Sequence, residues 1–199
     1  MLRLDGFYDL HIHSAPAPFV RIGDSADIAR WCAEAGMAGI VIKSHFESTV
    51  SKAYHARLAV REAYPDFKVF SGIALNRGVG AKRIVITHPE LAAPKLDLPT
   101  MVELAKAGCF MEFCAVNLLP MFYSISVQGL LEAIEAVTPE RTILSSDGGQ
   151  PFNPRPHEAI RIVIQSLHEK GLAAETFRTI CIENQKKLLD LSAAAPPLE

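Results

Sequence analysis

The chain has 199 residues, 49% of them hydrophobic, and a formal charge of −2. That is enough apolar material for one sizeable core and too little chain for two full domains, so residues 1–199 read as a single domain. The charge is nearly balanced and no Lys/Arg run exceeds two residues, which argues against a nucleic-acid or polybasic membrane partner and for a small-molecule substrate.

Short β-rich runs alternate with helical patterns, the signature of an α/β protein with a parallel sheet. The first strand is expected over residues 7–13 and a helix over 25–35, capped by Asp24 or Ser25, striped by Ile28, Trp31, Cys32 and Ala35 and stopped by Gly36. The near-continuous apolar run 38–42 suits a strand buried on both faces. A second helix is expected over 51–63, then strands over 67–75 and 83–87. Asp97 caps a further helix with Pro99 in its first turn and Gly108 just past its end. Strands over 109–114 and 142–146 each precede a helical pattern, 127–137 and 156–170, and one helix over 173–191 closes the fold before a Pro-containing tail.

These are six strands, where a closed (β/α)₈ barrel of about 250 residues has eight, so the expected fold is an incomplete (β/α) TIM-like barrel. Only about seven residues separate the third strand from the fourth, whereas a parallel crossover needs a dozen or more. Either those two strands are not parallel neighbours, or a segment is missing near Gly78 and Ala81.

The four cysteines, Cys32, Cys109, Cys114 and Cys181, lie scattered in apolar stretches with no zinc-motif spacing, as reduced core cysteines do in a cytoplasmic protein. Arg3, Asp5 and Asp9 interrupt the opening segment, so no secretory h-region is expected there, and no apolar run approaches the ~20 residues of a membrane span.

Chemistry concentrates where strands should end. In Asp9-Leu10-His11-Ile12-His13, residues two apart on a strand share a face, so His11 and His13 can meet one ion, with a neighbouring carboxylate such as Asp9 orienting a ligand ring. Imidazole suits Zn, Mn, Fe or Ni. Lys43 and His45 share a face after the second strand. Lys43 reads as an anion-binding ammonium, a carbamylated bridging ligand, a proton shuttle or a solvated strand end, and His45 as a ligand or substrate contact. His88 closes the fourth strand before Pro89, at the rim where barrel active sites lie. Asp147, followed by Gly148-Gly149, is placed to be both a ligand and a base. Glu112 sits mid-strand among Phe110, Met111 and Phe113 and must find a partner: the ion, Lys43 or a core hydrogen bond. Arg21 is a candidate clamp for a substrate carboxylate or phosphate. His157, in a helical pattern close to Asp147 in sequence, is the other histidine with a route to the pocket.

This pattern resembles the amidohydrolase superfamily of metal-dependent hydrolases on TIM-like barrels, and more narrowly the DUF6282 family. The resemblance rests on residues 9–13, Lys43-Ser44-His45, Ile86-Thr87-His88-Pro89-Glu90, and Pro139-Glu140-Arg141 leading into Ser145-Ser146-Asp147, with residues 184–191 as the terminal helix. It implies a divalent ion, Zn first, held by His11, His13, His88 and Asp147, with Glu112 as a further candidate. There are two departures. Carbamylated lysines of binuclear members usually come from a middle strand, whereas Lys43 follows the second, which leaves one or two ions open; and a further middle-strand histidine has no counterpart.

The expected activity is metal-assisted hydrolysis of an ester, lactone, amide or related bond in a small polar substrate. A bound water is brought toward a pKa of ~7, Asp147 serves as base, and Lys43, His45 and Arg21 recognise the substrate. The alternatives are a PHP-like phosphoesterase, since Asp-x-His-x-His openings also occur there, and a non-catalytic metal- or ligand-binding protein on the same fold. A homo-oligomer is an open expectation, because the rim loops of so short a barrel can need a partner chain to finish a pocket.

Overall fold

Six strands, all paired in parallel, organise the computed structural model, which describes residues 3–72, 83–92 and 95–191. They are β1 (Tyr8–Ile12), β2 (Gly39–Ile42), β3 (Lys68–Ser71), β4 (Val85–Thr87), β5 (Phe110–Cys114) and β6 (Thr142–Ser145). The helices are α1 (Ser25–Glu34), α2 (Val50–Val60), α3 (Leu98–Lys106), α4 (Val127–Val137), α5 (Pro156–Glu169), α6 (Ala174–Arg178) and α7 (Asn184–Leu188). Each long helix lies where the apolar periodicity puts it. Asp24, Asp97 and Ser126 cap α1, α3 and α4, their side-chain oxygens accepting from the N–H groups of Asp27, Thr100 and Gly129.

The strands form two three-stranded sheets, β1-β2-β3 and β4-β5-β6. The sheets meet along β1 and β6: His13 N donates to Gly148 O at 2.9 Å, and Ile12 bridges Gly148. The resulting order, β3-β2-β1-β6-β5-β4, is that of a barrel wall opened between β3 and β4, which share no ladder among the described residues. The short connection read from the sequence thus leads to two strands that are not parallel neighbours. The proposed missing segment near Gly78 and Ala81 lies outside the described residues.

Curvature divides the side chains into two apolar layers. Every strand sends a residue inward: Tyr8 and Leu10, Val41, Phe70, Val85, Phe110 and Ile143 pack together, with Leu188, Leu189 and Leu191 against them. Ile12, Ile40, Ile42, Met111, Phe113 and Leu144 point outward into the layer covered by the helices, with Ile28, Leu130, Ile134, Ile160 and Val163. Burying each such large side chain contributes about 1.5–3 kcal/mol, so this outer layer is the main source of stability.

The closing helix is broken where its periodicity predicts one continuous helix. A π turn at Thr179–Glu183 separates α6 from α7. Beyond it the buried amides of Asn184 and Gln185 turn toward β6. Asn184 donates to the carbonyls of Pro139 and Thr142 at 2.7 Å each, and Gln185 donates to Ile180 O at 2.6 Å. Satisfying the Pro139 and Thr142 carbonyls at the start of β6 is the return for the wider turn.

Candidate metal centre

β1 carries a local irregularity that serves the site. Asp9 pairs with Ile40 and Ile12 with Ile42, so Leu10 and His11 together oppose Val41. This extra residue lets Leu10 stay in the inner layer while His11 and His13 both face the strand ends. The His11 N–H is accepted by Asp9 Oδ1 at 3.0 Å, and the same oxygen accepts the N–H of Ser146 at 3.0 Å. One carboxylate oxygen therefore ties the strand holding His11 to the residue before Asp147. Burial pushes the Asp9 carboxyl up to about 6, only partly offset by its bonds to Ser146 and His11. Asp9 was expected to orient an imidazole; it holds backbone instead.

Glu112 takes the orienting position. Its Oε2 lies 3.2 Å from His11 Nδ1 and 3.7 Å from Lys43 Nζ, and its Oε1 accepts the Ser145 hydroxyl at 2.8 Å. Burial alone would raise this carboxyl, but His11, Lys43 and Ser145 reverse the shift and hold it far below the usual carboxylate range. An ionised Glu112 favours a proton on His11 Nδ1 and leaves Nε2 turned to the mouth. His13 is set the same way, its Nδ1 lying 3.0 Å from the Lys43 carbonyl, a group that can only accept.

The two Nε2 atoms then converge on Asp147. His11 Nε2 and His13 Nε2 are 3.2 Å apart, and Asp147 Oδ1 lies 3.4 Å from the first and 3.3 Å from the second. A tetrahedral zinc with bonds of about 2.0–2.1 Å needs ligand atoms about 3.3–3.4 Å apart, so the triangle has the edge lengths of one face of that polyhedron. Burial raises Asp147, and the three histidines around it, His11, His13 and His88, more than compensate, leaving its carboxyl below the ordinary value. His11, His13 and Asp147 thus form a buried group that could hold a metal ion.

A second donor group, His11, Glu112 and Cys114, shares the other edge of the His11 ring, with Cys114 Sγ 3.8 Å from Nδ1. It suits an ion poorly. The Lys43 ammonium already stands there, 3.4 Å from His11 Nδ1, and burial together with Glu112 and Asp147 pushes the Cys114 thiol well above its ordinary value, keeping it protonated.

Of the remaining candidates, His88 stands beside the triangle but outside the three-atom group, its ring centroid 5.9 Å from that of His11. Its Nδ1 is buried without a partner, and burial lowers its pKa. His45 stacks at 4.8 Å on His13, and Arg21 feels the charge of Asp147; both line a pocket on the β1–β2 side of the mouth. His157 is turned elsewhere: it is buried in α5, amid Glu158, Arg161, Arg155 and Glu34. The sequence gives no sign that Ser145 or Cys114 lies at the site, and it marks Gly149 only through the Gly148-Gly149 pair. Gly149 sits at φ +127, and a Cβ there would overlap the His13 carbonyl oxygen, so only glycine allows the β6 loop to lie this close to β1. The Gly148-Gly149 pair was the available signal.

Residues 6–81 match the model of DUF6282, a family of unknown function. The fold is similar to that of solved hydrolases: an amidohydrolase from Pseudomonas aeruginosa superposes with a TM-score of 0.61 at 9% identity, covering 93% of this chain and 95% of that one. A β-aspartyl dipeptidase from Fervidobacterium islandicum, in complex with β-Asp-Leu dipeptide, superposes with a TM-score of 0.59 at 13% identity, covering 93% of this chain and 73% of that one. None of the curated proteins matches the chain. Among the described residues, no helix is long and apolar enough to cross a membrane.

Proposed function

We propose that this protein is a metal-dependent hydrolase of the amidohydrolase type, acting on an ester, lactone, amide or related bond of a small polar substrate. The observation that carries this reading is the triangle of His11 Nε2, His13 Nε2 and Asp147 Oδ1, with sides of 3.2 to 3.4 Å and both histidine tautomers fixed from behind. His11, His13 and Asp147 would hold one divalent ion, zinc by geometry and donor set, and His88, with its unspent Nδ1, is the nearest group to serve as a fourth donor. An ion so held supplies a Lewis acid for the scissile carbonyl and lowers the pKa of water bound to it.

The chain's own groups do the rest. Asp147 keeps one oxygen in the triangle and has a second with which to accept a proton from the attacking water and return it to the leaving group. Glu112 stays ionised and keeps the His11 ring in register, while Lys43 balances the Glu112 charge.

The test is metal analysis of purified wild type, His11→Ala and Asp147→Ala, with hydrolysis assayed across ester, lactone, amide and phosphoester panels. Wild type should hold about one equivalent per chain. Both variants should lose it, together with roughly 100-fold or more of any turnover, since even residues behind a metal's ligands cost 10–100-fold. Unchanged metal content in both variants would sink the assignment. An ion retained by wild type without turnover on any panel would make the protein a metal-binding module.

A further inference from the structure

Beside the triangle, between the β1–α1 and β2–α2 loops, lies a pocket lined by His13, Arg21, Lys43, His45, Lys52 and Phe46. His13 belongs to both places, so whatever enters this pocket abuts the reacting centre. The lining is rich in cations, but most of that charge is already spent. Lys52 Nζ is held at 2.6 Å by both Glu47 Oε1 and Pro16 O. Lys43 Nζ faces Glu112. Arg21 differs: its Nε is buried with no hydrogen-bond partner, and it enters none of the ion pairs among the described residues. Asp147, whose charge reaches it, is engaged by His11 and His13.

The Arg21 backbone is also fixed in place. Ile22 N donates to Gly149 O at 2.8 Å and Ala15 N to Gly23 O at 2.9 Å, so the loop is sewn to β6 on one side and to itself on the other. A buried Nε–H on a fixed loop, with no partner, costs free energy unless a ligand supplies the acceptor. Counting charges, the pocket offers one unspent positive charge, on a planar fork, with the His45 imidazole available to hydrogen-bond. That matches a planar carboxylate, which two parallel N–H groups can hold edge-on.

We propose that this pocket seats a carboxylate of the substrate on Arg21 and His45, so that the bond to be hydrolysed lies a few bonds from a free carboxylate. The position of the reacting end rests on the metal-centre reading; the carboxylate seat itself does not. At the outer lip Phe46 and Phe19, 64% and 60% exposed with ring centroids 6.1 Å apart, offer an apolar flank to the part of the substrate that leaves the pocket.

The experiment is calorimetric titration of zinc-reconstituted wild type, Arg21→Gln and Arg21→Lys with succinate and, separately, with inorganic phosphate, with zinc content measured on each sample. Succinate should bind wild type, and Arg21→Gln should weaken it about ten-fold or more at unchanged zinc content. Should Arg21→Gln fail to fold, Arg21→Lys, which keeps the charge and loses the fork, should weaken succinate in the same direction. Succinate affinity indifferent to Arg21, or phosphate binding more tightly than succinate in an Arg21-dependent way, would overturn the proposal. A wild type that holds no zinc would defeat the metal-centre reading instead. Arg21-dependent succinate binding by that same zinc-free protein would still uphold the carboxylate seat.

Discussion

Asp9 acts as a strand connector. Its Oδ1 takes two backbone N–H groups that no ladder satisfies, those of His11 and Ser146, and so sets the spacing between the first histidine and Asp147. Alanine would leave two buried donors orphaned, at about 1–3 kcal/mol each, whereas asparagine keeps an oxygen in place. Urea denaturation should therefore show Asp9→Ala destabilised by about 2 kcal/mol or more relative to Asp9→Asn. Equal stability of the two would mean that water replaces the carboxylate and that this account of the connection is wrong. His88 and Asp147 add a second residue-scale feature: both adopt left-handed backbone, at φ +35 and +50, which non-glycine residues rarely take. Such strain persists where surrounding contacts over-determine it, and it recurs at functional sites.

Among the elements, the helix caps were plain in the sequence because capping is local chemistry. Asp97 is the clearest case, its side chain accepting the Thr100 N–H at 2.9 Å. Bonds from Thr100 hold the exposed Asp97 carboxyl below its ordinary 3.8. Folding thus favours the ionised form, and the stabilisation is present above a pH of about 4 and fades as acid protonates the cap. Asp97→Ala should lower Tm at pH 7, and the gap to wild type should narrow as the pH falls below about 4. A gap independent of pH would show that the charge contributes nothing. The closing helix illustrates the opposite situation: periodicity runs through residues 173–191 without a break, while the π turn brings Asn184 and Gln185 to carbonyls of Pro139, Thr142 and Leu144, distant in sequence.

At the scale of the molecule, the candidate ion would join β1 to β6, the two strands along which the two sheets meet. Zinc binding should therefore stabilise the whole fold, by about 4 kcal/mol when free ion exceeds Kd a thousand-fold. In a calorimetric scan, chelation should lower the wild-type Tm by several degrees, while Asp147→Ala should melt at the same temperature with or without chelator. A variant that still responds to chelator would place the ion elsewhere. The outer apolar layer spans both sheets, so its residues set the stability on which this increment is added.

Strand and helix positions, the caps and the pairing of His11 with His13 were legible in the sequence because each depends on neighbours within a few residues: periodicities of 2 and 3.6, a capping oxygen, a turn glycine. The sequence alone also flagged that the connection between β3 and β4 is too short for an ordinary parallel crossover, which left either non-neighbouring strands or a missing segment, since chain length bounds what a crossover can do. Which carboxylate does what was decided only in three dimensions. Asp9 and Glu112 were both plausible partners for a histidine, and the extra residue in β1 assigned one to backbone and the other to the ring. The free charge on Arg21 was equally invisible, because a cation is spent or unspent only once Glu47, Glu112 and Asp147 have taken their places around it.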